Sequence, residues 1–192
     1  MIKAYYTKHT EHVPIMKAIF ELYEPEVYVE VGVDRAYTFN QLAPLVKKRA
    51  VGVDHKDRSD RIISLPTIKF MLGTSADMVK EWDGTPIDML FIDANHHKEQ
   101  VLRDFDLWTP YVVEGTGLIF LHDTCPRLLD YPKHCNDACE AAWEIRTSNK
   151  YRPYFEIMNL PGPAHGMSIV RKSKKQLAYP LLRLCSHEEH YK

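Results

Sequence analysis

The residues that could do chemistry in this sequence stand at the ends of short apolar runs. These runs are rich in β-branched and aromatic residues, as is typical of buried strands. At or just after their ends the polar groups are Glu30-Val31-Gly32, Asp54, Gly73-Thr74-Ser75, Asp93 and His122-Asp123. Because ligands bind beyond the carboxyl ends of the strands in an open parallel sheet, such groups would line one ligand-binding site. Helix capping alone would explain Ser75 and part of Asp54, but Asp93 and Asp123 follow directly on apolar runs.

The turn after the first run indicates the kind of ligand. A dinucleotide-binding turn reads Gly-x-Gly-x-x-Gly, because missing side chains let backbone amides approach a pyrophosphate. This turn reads Gly32-Val33-Asp34-Arg35-Ala36-Tyr37, with an acid where the second glycine would be. Asp34 would repel a pyrophosphate and would suit a ligand with positive charge, such as S-adenosylmethionine (SAM). Asp54, at the end of the second run, would accept both ribose hydroxyls of such a ligand.

Helical patterns alternate with the first five runs and define the fold class. The predicted helices cover residues 16–23, 37–48, 75–82, 101–108 and 137–145. Ser75 is the expected N-cap of the third helix, and Asp137 with Glu140 has the spacing of a capping box. The last two runs, near residues 154–158 and 166–171, have no long helix between them. We therefore predict an α/β fold with a doubly wound, mostly parallel seven-stranded sheet and an antiparallel edge hairpin.

Length, charge and composition exclude several classes of protein. A chain of 192 residues suits a single domain, with a helical segment at 1–25, a main domain at 26–172 and a tail at 173–192. A formal net charge of −1 does not favour nucleic-acid binding. No apolar run approaches the ~18 residues of a membrane span, and the first residues lack the apolar region of a secretory signal. We expect a soluble, cytoplasmic protein with reduced cysteines.

Several stretches of the sequence resemble one known family. Tyr28-Val29-Glu30-Val31-Gly32, with Ala36 and Thr38, resembles the first motif of class I SAM-dependent methyltransferases, E-x-G-x-x-x-G-x-S, with Ala36 replacing its last glycine. The stretches 88–96, 101–110 and 117–124 are similar to the subgroup called the methyltransferase domain 24 type. That subgroup contains small-molecule and sugar O-methyltransferases. The resemblance extends over residues 26–171 and implies a Rossmann-like methyltransferase fold.

The resemblance also assigns residues to SAM. It places Glu30 and Gly32 at the methionine end, Asp54 at the ribose and Ser75 at the adenine. The residues expected to bind the cofactor are Glu30, Gly32, Asp34, Asp54, Ser75 and Asp93.

A divalent cation and a general base are further implications of the resemblance. In related metal-dependent O-methyltransferases, acids at the fourth and fifth strand ends bind a hard cation such as Mg²⁺, which would be held here by Asp93 and Asp123. The cation would orient the acceptor hydroxyl and lower its pKa. His96 has the position of the general base. His122 replaces an acid of several relatives, and it could ligate a softer ion, Zn²⁺ or Mn²⁺, or act as the base itself.

A separate zinc site is one possible role for the cysteines. Only Cys135 and Cys139 have the spacing of a zinc-ligand pair, with Cys125 and His134 nearby. On a helix these two would share a core-facing side, so we expect buried thiols. His165 lies in the predicted hairpin loop and is expected to be an ordinary loop residue.

The sequence therefore favours a SAM-dependent O-methyltransferase that acts on a small hydroxylated metabolite or sugar. The N-terminal segment and residues 124–136 are expected to shape the acceptor pocket, and the family suggests a homodimer. One alternative is a metal-dependent hydrolase that uses Asp93, His96, His122 and Asp123. It would leave Glu30, Asp34 and Asp54 without a task. Another alternative is a non-catalytic domain that binds SAM or a nucleotide.

Overall fold

A computed structural model describes residues 10–126, 135–162 and 165–174 of the chain. Its strands are β1 (Val27–Val31), β2 (Arg49–Asp54), β3 (Ile68–Leu72), β4 (Met89–Ile92), β5 (Leu118–His122), β6 (Phe155–Leu160) and β7 (Met167–Lys172). Its α-helices are α1 (Val13–Tyr23), α2 (Tyr37–Leu42), α3 (Ser75–Met78), α4 (Lys98–Trp108) and α5 (Ala138–Thr147). Short 3₁₀ turns lie at Ala43–Leu45, Ser59–Arg61 and Thr109–Tyr111.

In the described part of the chain, seven strands form one sheet in the order β3-β2-β1-β4-β5-β7-β6. The first five strands are parallel, whereas β7 is antiparallel to both β5 and β6. The predicted fold class, with its antiparallel edge hairpin, is confirmed. The strand order reverses direction at β1, which lies between β2 and β4. The carboxyl ends of these strands are the usual place for a ligand in such a sheet.

Two apolar layers cover the sheet and hold these strand ends in place. All residues of β1, β4 and β5 are buried, as expected for parallel strands with helices on both faces. On one face, Phe105 and Trp108 of α4 pack with Ile145 of α5. On the other face, Phe20 of α1 and Phe39 of α2 pack around Tyr28.

The described helix ends differ from the predicted ones, most clearly in α2, α3 and α5. The second helix stops at Leu42 and continues as a 3₁₀ turn around Pro44, since proline removes a backbone donor. The third helix stops at Met78, and its N-cap is Thr74, whose hydroxyl accepts a hydrogen bond from Asp77 N, so the assignment to Ser75 was wrong. The predicted capping box at Asp137 is also wrong, because this carboxylate accepts from Lys98 N at 2.7 Å instead.

Some predictions concern residues outside the described ranges. These include residues 1–9 of the N-terminal segment, 127–134 of the predicted acceptor pocket with His134, and 175–192 of the predicted tail. Within the described residues, no helix combines the length and apolar character that a membrane crossing requires.

Candidate functional site

A cleft of about 760 Å³ opens above the carboxyl ends of β1, β2, β3 and β4. This volume lies within the ~300–1,000 Å³ of small-molecule sites in proteins. Most of the predicted cofactor residues line it, namely Gly32, Asp34, Asp54, Ser75 and Asp93, together with His96. The structure therefore brings side chains from four strand ends to one cavity, as the sequence pattern predicted.

Gly32 allows the ends of β1 and β4 to approach each other. Its φ is +93°, and a Cβ atom there would lie 2.3 Å from the carbonyl oxygen of Asp93 and 2.5 Å from Cα of Ala94. No other residue fits this position without moving the backbone. The close approach places Asp93 beside the turn that follows β1.

Asp54 is held rigidly at the end of β2. Its side chain is buried, Oδ2 accepts from the backbone N–H of Asp34 at 2.9 Å, and Oδ1 accepts from that of Lys56 at 2.9 Å. Arg58 donates to Asp34 at 3.0 Å and lies 3.9 Å from Asp54. Each carboxylate oxygen has a second lone pair, so Asp54 can still accept from ligand hydroxyls.

Glu30 is placed differently from the other predicted cofactor residues. It is 1% exposed, accepts a 2.5 Å hydrogen bond from the hydroxyl of Tyr28, and also accepts from the backbone of Phe39. Burial raises the pKa of its carboxyl well above the usual value, although the bond from Tyr28 opposes this shift. Among the described residues that line the cleft, Glu30 does not appear. It joins β1 to α2 beneath the cleft, and its contact with the cofactor stays a prediction.

Ser75 lines the cleft beside α4. Its hydroxyl accepts from Trp108 Nε1 at 2.9 Å. Asp104 also lines the cleft here and was missed, although its position among the apolar residues of α4 was a signal. Burial raises the pKa of Asp104, and hydrogen bonds from Ser75 and Gln100 only partly offset this.

Beside the cleft lies a cluster of acids and histidines, the acceptor cluster, formed by Asp93, His96, His122 and Asp123. Asp93 and His96 line the cleft itself. Ile92 and Leu121 are in register on the neighbouring strands β4 and β5, so the next residues, Asp93 and His122, lie side by side. Nδ1 of His122 is 2.9 Å from Oδ1 of Asp93 and 3.4 Å from Oδ1 of Asp123. His96 joins both acids, with Nε2 3.4 Å from Asp93 Oδ1 and Nδ1 2.6 Å from Asp123 Oδ2.

The acids and histidines of the acceptor cluster hold one another in charged form. Burial lowers the pKa of His96, but hydrogen bonds with Asp123 and Asp93 outweigh it and raise this pKa to about 11. Burial likewise opposes the charge of Asp93, yet His122 and His96 lower its pKa to about 2. Burial opposes the charges of the other two members. Asp93 and Asp123 nevertheless raise the pKa of His122, and hydrogen bonds from His165 and His96 lower that of Asp123. The raised pKa favours the imidazolium form of His96, whose two ring N–H groups face the two carboxylates.

Three further residues surround the acceptor cluster, and sequence reasoning missed them as site residues. His12 precedes α1, contacts Thr38 Oγ1 through Nε2 at 3.1 Å, and packs its ring 4.3 Å from that of His122. Burial and the charge of His122 lower the pKa of His12 to about 3, so this imidazole is neutral. No local motif signals His12, since only the packing of α1 brings it to β5.

Cys135 and His165 are the other two additions. Both are buried and contact Asp123. His165 lies in the loop between β6 and β7, as expected, with its Nδ1 2.7 Å from Oδ1 of Asp123. Cys139 is exposed, so the predicted shared core-facing side of the two thiols is wrong. The two cysteines differ because Cys135 precedes the turn that begins α5, whereas Cys139 lies within the helix.

The donor atoms of Asp93, His122 and Asp123 lie within 4.8 Å of one another. This spacing suits a divalent cation with carboxylate and imidazole ligands. Nδ1 of His122, which lies against both carboxylates, is the imidazole donor of this set. The donor set thus fits the predicted metal position.

Comparison with known proteins agrees with this architecture. A sequence model described as a methyltransferase domain matches residues 29–124, half of the 192-residue chain. The chain therefore belongs to this methyltransferase family, and the resemblance to class I SAM-dependent methyltransferases is confirmed.

Solved structures with the same fold include three at low sequence identity. The O-methyltransferase from Bacillus cereus in complex with SAH is 17% identical, with a TM-score of 0.62 over 89% of this chain and 86% of that one. TomG from Streptomyces achromogenes, an O-methyltransferase of tomaymycin synthesis in complex with SAM, is 14% identical, with a TM-score of 0.64 over 85% and 80%. Cofactor-bound Rv0187 from MTB is 12% identical, with a TM-score of 0.68 over 85% and 80%.

Proposed function

We propose that this methyltransferase transfers the methyl group of SAM to a hydroxyl of a small metabolite or sugar. The observation that carries the proposal is a single cleft that joins two kinds of residue. Gly32, Asp34 and Asp54 line the part that we call the donor end. Asp93 and His96, two members of the acceptor cluster, line the part that we call the acceptor end. The O-methyltransferases from Bacillus cereus and Streptomyces achromogenes, which have SAH and SAM bound, support SAM as the methyl donor and a hydroxyl as the acceptor.

The donor end has the chemistry that SAM requires. Asp54 is fixed by two backbone hydrogen bonds and has free lone pairs for the ribose hydroxyls. Gly32 lets the ends of β1 and β4 lie close together, which brings Asp93 next to the donor end. Asp34, which is paired with Arg58, and Asp93 supply carboxylates to this part of the cleft, and carboxylates suit the ammonium and sulfonium groups.

At the acceptor end, the hydroxyl oxygen would attack the methyl carbon as the carbon–sulfur bond breaks and S-adenosylhomocysteine leaves. The hydroxyl proton must then pass to a base. A divalent cation bound by Asp93, His122 and Asp123 would supply Lewis-acid activation of the hydroxyl. His96 lines the cleft itself, and it is therefore the histidine best placed to receive the proton.

The protonation of His96 sets a condition on that role. An imidazole whose pKa is about 11 already holds its proton at neutral pH and accepts no other. His96 becomes a base only when Asp93 and Asp123 are engaged elsewhere, because their hydrogen bonds are what raise its pKa. His122 is the second candidate, but its ring is buried behind the cleft wall.

The two alternatives are weaker. A metal-dependent hydrolase would use the acceptor cluster but would leave Gly32, Asp34 and Asp54 without a ligand. A non-catalytic binding domain would not need buried histidines and acids next to its cleft, since burying charged groups is unfavourable unless they serve one another or a ligand.

Titration calorimetry with S-adenosylhomocysteine, with and without Mg²⁺, tests the donor assignment. We expect binding at micromolar affinity, which corresponds to about −8 kcal/mol. NAD⁺ is the control ligand, and we expect it not to bind, because its pyrophosphate would face Asp34. Absence of S-adenosylhomocysteine binding in both conditions would contradict the proposal. Binding without turnover of any hydroxylated acceptor would favour the non-catalytic alternative.

A further inference from the structure

A second group of metal-ligating atoms lies beside the acceptor cluster. Oδ1 of Asp123 is 2.7 Å from Nδ1 of His165 and 3.7 Å from Sγ of Cys135, and Sγ is 3.5 Å from Nδ1. All three residues are at most 4% exposed. We call these residues the thiol triad. We propose that the thiol triad binds Zn²⁺ or another soft divalent cation.

The donor types distinguish this site from the predicted magnesium position. A thiolate and an imidazole are ligands of Zn²⁺, whereas Mg²⁺ is bound by oxygen atoms and retains water. The two groups of ligands share Asp123, but Asp93 and His122 belong to one and Cys135 and His165 to the other. A soft cation would therefore prefer the thiol triad and leave the oxygen-rich group for a hard cation.

The distances in the thiol triad are close to those of a tetrahedral zinc site. With Zn–S near 2.3 Å and Zn–N or Zn–O near 2.0–2.1 Å, ligand atoms at the tetrahedral angle are ~3.6 Å apart when one is sulfur. The two observed distances from Cys135 Sγ, 3.5 Å and 3.7 Å, bracket that value. The distance from His165 to Asp123 must lengthen by ~0.7 Å, which rotation of the carboxylate can supply because this torsion is broad.

The hairpin loop holds His165 in position through its backbone. Oε1 of Glu11 accepts from the N–H groups of His165 and Gly166, each at 3.0 Å, and the carbonyl of His165 accepts from Cys125 N at 3.3 Å. Gly166 has a φ of +63°, and a Cβ atom there would lie 1.9 Å from the carbonyl oxygen of Cys125. Such fixed support is what a metal ligand needs in order to keep its orientation.

The same geometry does not suit a cysteine nucleophile. In such a site the histidine accepts the thiol proton at one ring nitrogen and is oriented by an acid at the other. Here Cys135 and Asp123 both lie against the same nitrogen, Nδ1 of His165. Burial and the charge of Asp123 raise the pKa of Cys135 to about 12, so the free thiol is not reactive. A bound cation would displace the thiol proton to solvent and bind the thiolate.

Absorption spectroscopy of the Co²⁺-substituted protein tests the proposal without reference to methyl transfer. Chelator-treated wild-type protein is titrated with Co²⁺, and we expect a thiolate-to-cobalt charge-transfer band together with strong visible bands of a tetrahedral site. Excess Mg²⁺ should leave the charge-transfer band in place, and Zn²⁺ should abolish it. Cys135→Ser should lose the band, whereas the matched control Cys139→Ser, four residues away and exposed, should keep it.

The proposal is overturned if wild-type protein shows no charge-transfer band, if the band persists in Cys135→Ser, or if Mg²⁺ removes it as readily as Zn²⁺ does. Should Cys135→Ser fail to fold, X-ray absorption of zinc-loaded wild-type protein decides the question. Sulfur at about 2.3 Å supports the site, and a shell of nitrogen and oxygen alone overturns it. S-adenosylhomocysteine binding, measured in parallel, reports separately on the proposed function.

Discussion

The two ends of the cleft are built in different ways. At the donor end, Gly32, Asp34 and Asp54 come from one β-α-β unit, and backbone hydrogen bonds fix their positions. At the acceptor end, charges from distant segments fix one another, and the half-buried His96 and Asp93 pair with each other and with the buried Asp123 and His122. Changes at the donor end should therefore alter ligand affinity, and changes at the acceptor end should alter turnover and the stability of the fold.

The largest expected effect is on turnover at the acceptor end. We expect His96→Ala to reduce kcat by ~10²–10⁴-fold, the usual loss when a general base is removed. The affinity for S-adenosylhomocysteine should not change, because His96 belongs to the acceptor end. Steady-state kinetics and calorimetry on the same preparation provide both quantities.

His97→Ala is the matched control for this substitution. His97 is adjacent in sequence, exposed, and faces Asp137 rather than the acceptor cluster, so its loss should leave kcat unchanged. Normal turnover in His96→Ala would transfer the role of base to His122. A weakened cofactor affinity would mean that the two ends of the cleft are not separate.

Asp123→Asn should reduce stability more than any donor-end change does. The folded-state pKa of Asp123 is lowered, so its ionisation stabilises the fold at neutral pH, and this contribution disappears as pH falls below about 3.8. Removing the charge takes from His96 one of its two carboxylate partners and takes from His165 its partner at Nδ1. Loss of one member of a buried ion pair typically reduces the unfolding free energy by about 3 kcal/mol. Asparagine tolerates the positive φ of 59° at this position, so backbone strain would not account for the loss of stability.

Urea unfolding at neutral pH measures this loss, with Asp106→Asn as the control. Asp106 pairs with Lys150 at the surface, where ion pairs contribute below ~1 kcal/mol. Equal losses in the two variants would show that the acceptor cluster is not stabilised by its charges.

Asp54→Asn tests the donor end. The substitution keeps the size of the side chain but removes the negative charge that would accept ribose hydroxyls. We expect the Kd for S-adenosylhomocysteine to rise roughly tenfold, the ~1.5 kcal/mol of a hydrogen bond to a charged group. Asp57→Asn, in the same loop but outside the cleft, is the control. An unchanged Kd in Asp54→Asn would refute the ribose assignment.

The same contrast explains which features the sequence could predict. The strands and the polar groups at their ends were predictable. Hydrophobic periodicity, apolar runs and the residues that follow those runs can all be read from a short stretch of sequence. Asp93 and Asp123 were found in this way. His12, Cys135 and His165 were not, since each reaches the acceptor cluster only through tertiary packing of α1, the segment before α5 and the hairpin loop. The raised pKa of His96 depends on the same packing and was equally inaccessible.

Asp104→Asn has the smallest expected effect and the opposite sign. Asp104 is a buried carboxylate like Asp123, but burial raises its pKa because Gln100 and Ser75 do not compensate fully. A raised folded-state pKa means that this acid favours folding most below about 3.8 and that its contribution is lost as pH rises through the folded value. Asparagine should therefore increase stability slightly at neutral pH and should lose that advantage in acid. Thermal unfolding at pH 7 and pH 3.5 measures the gain in stability and its loss in acid. A variant that is less stable at pH 7 would show that the hydrogen bonds of Asp104 stabilise the fold, as the charge pairs of Asp123 do.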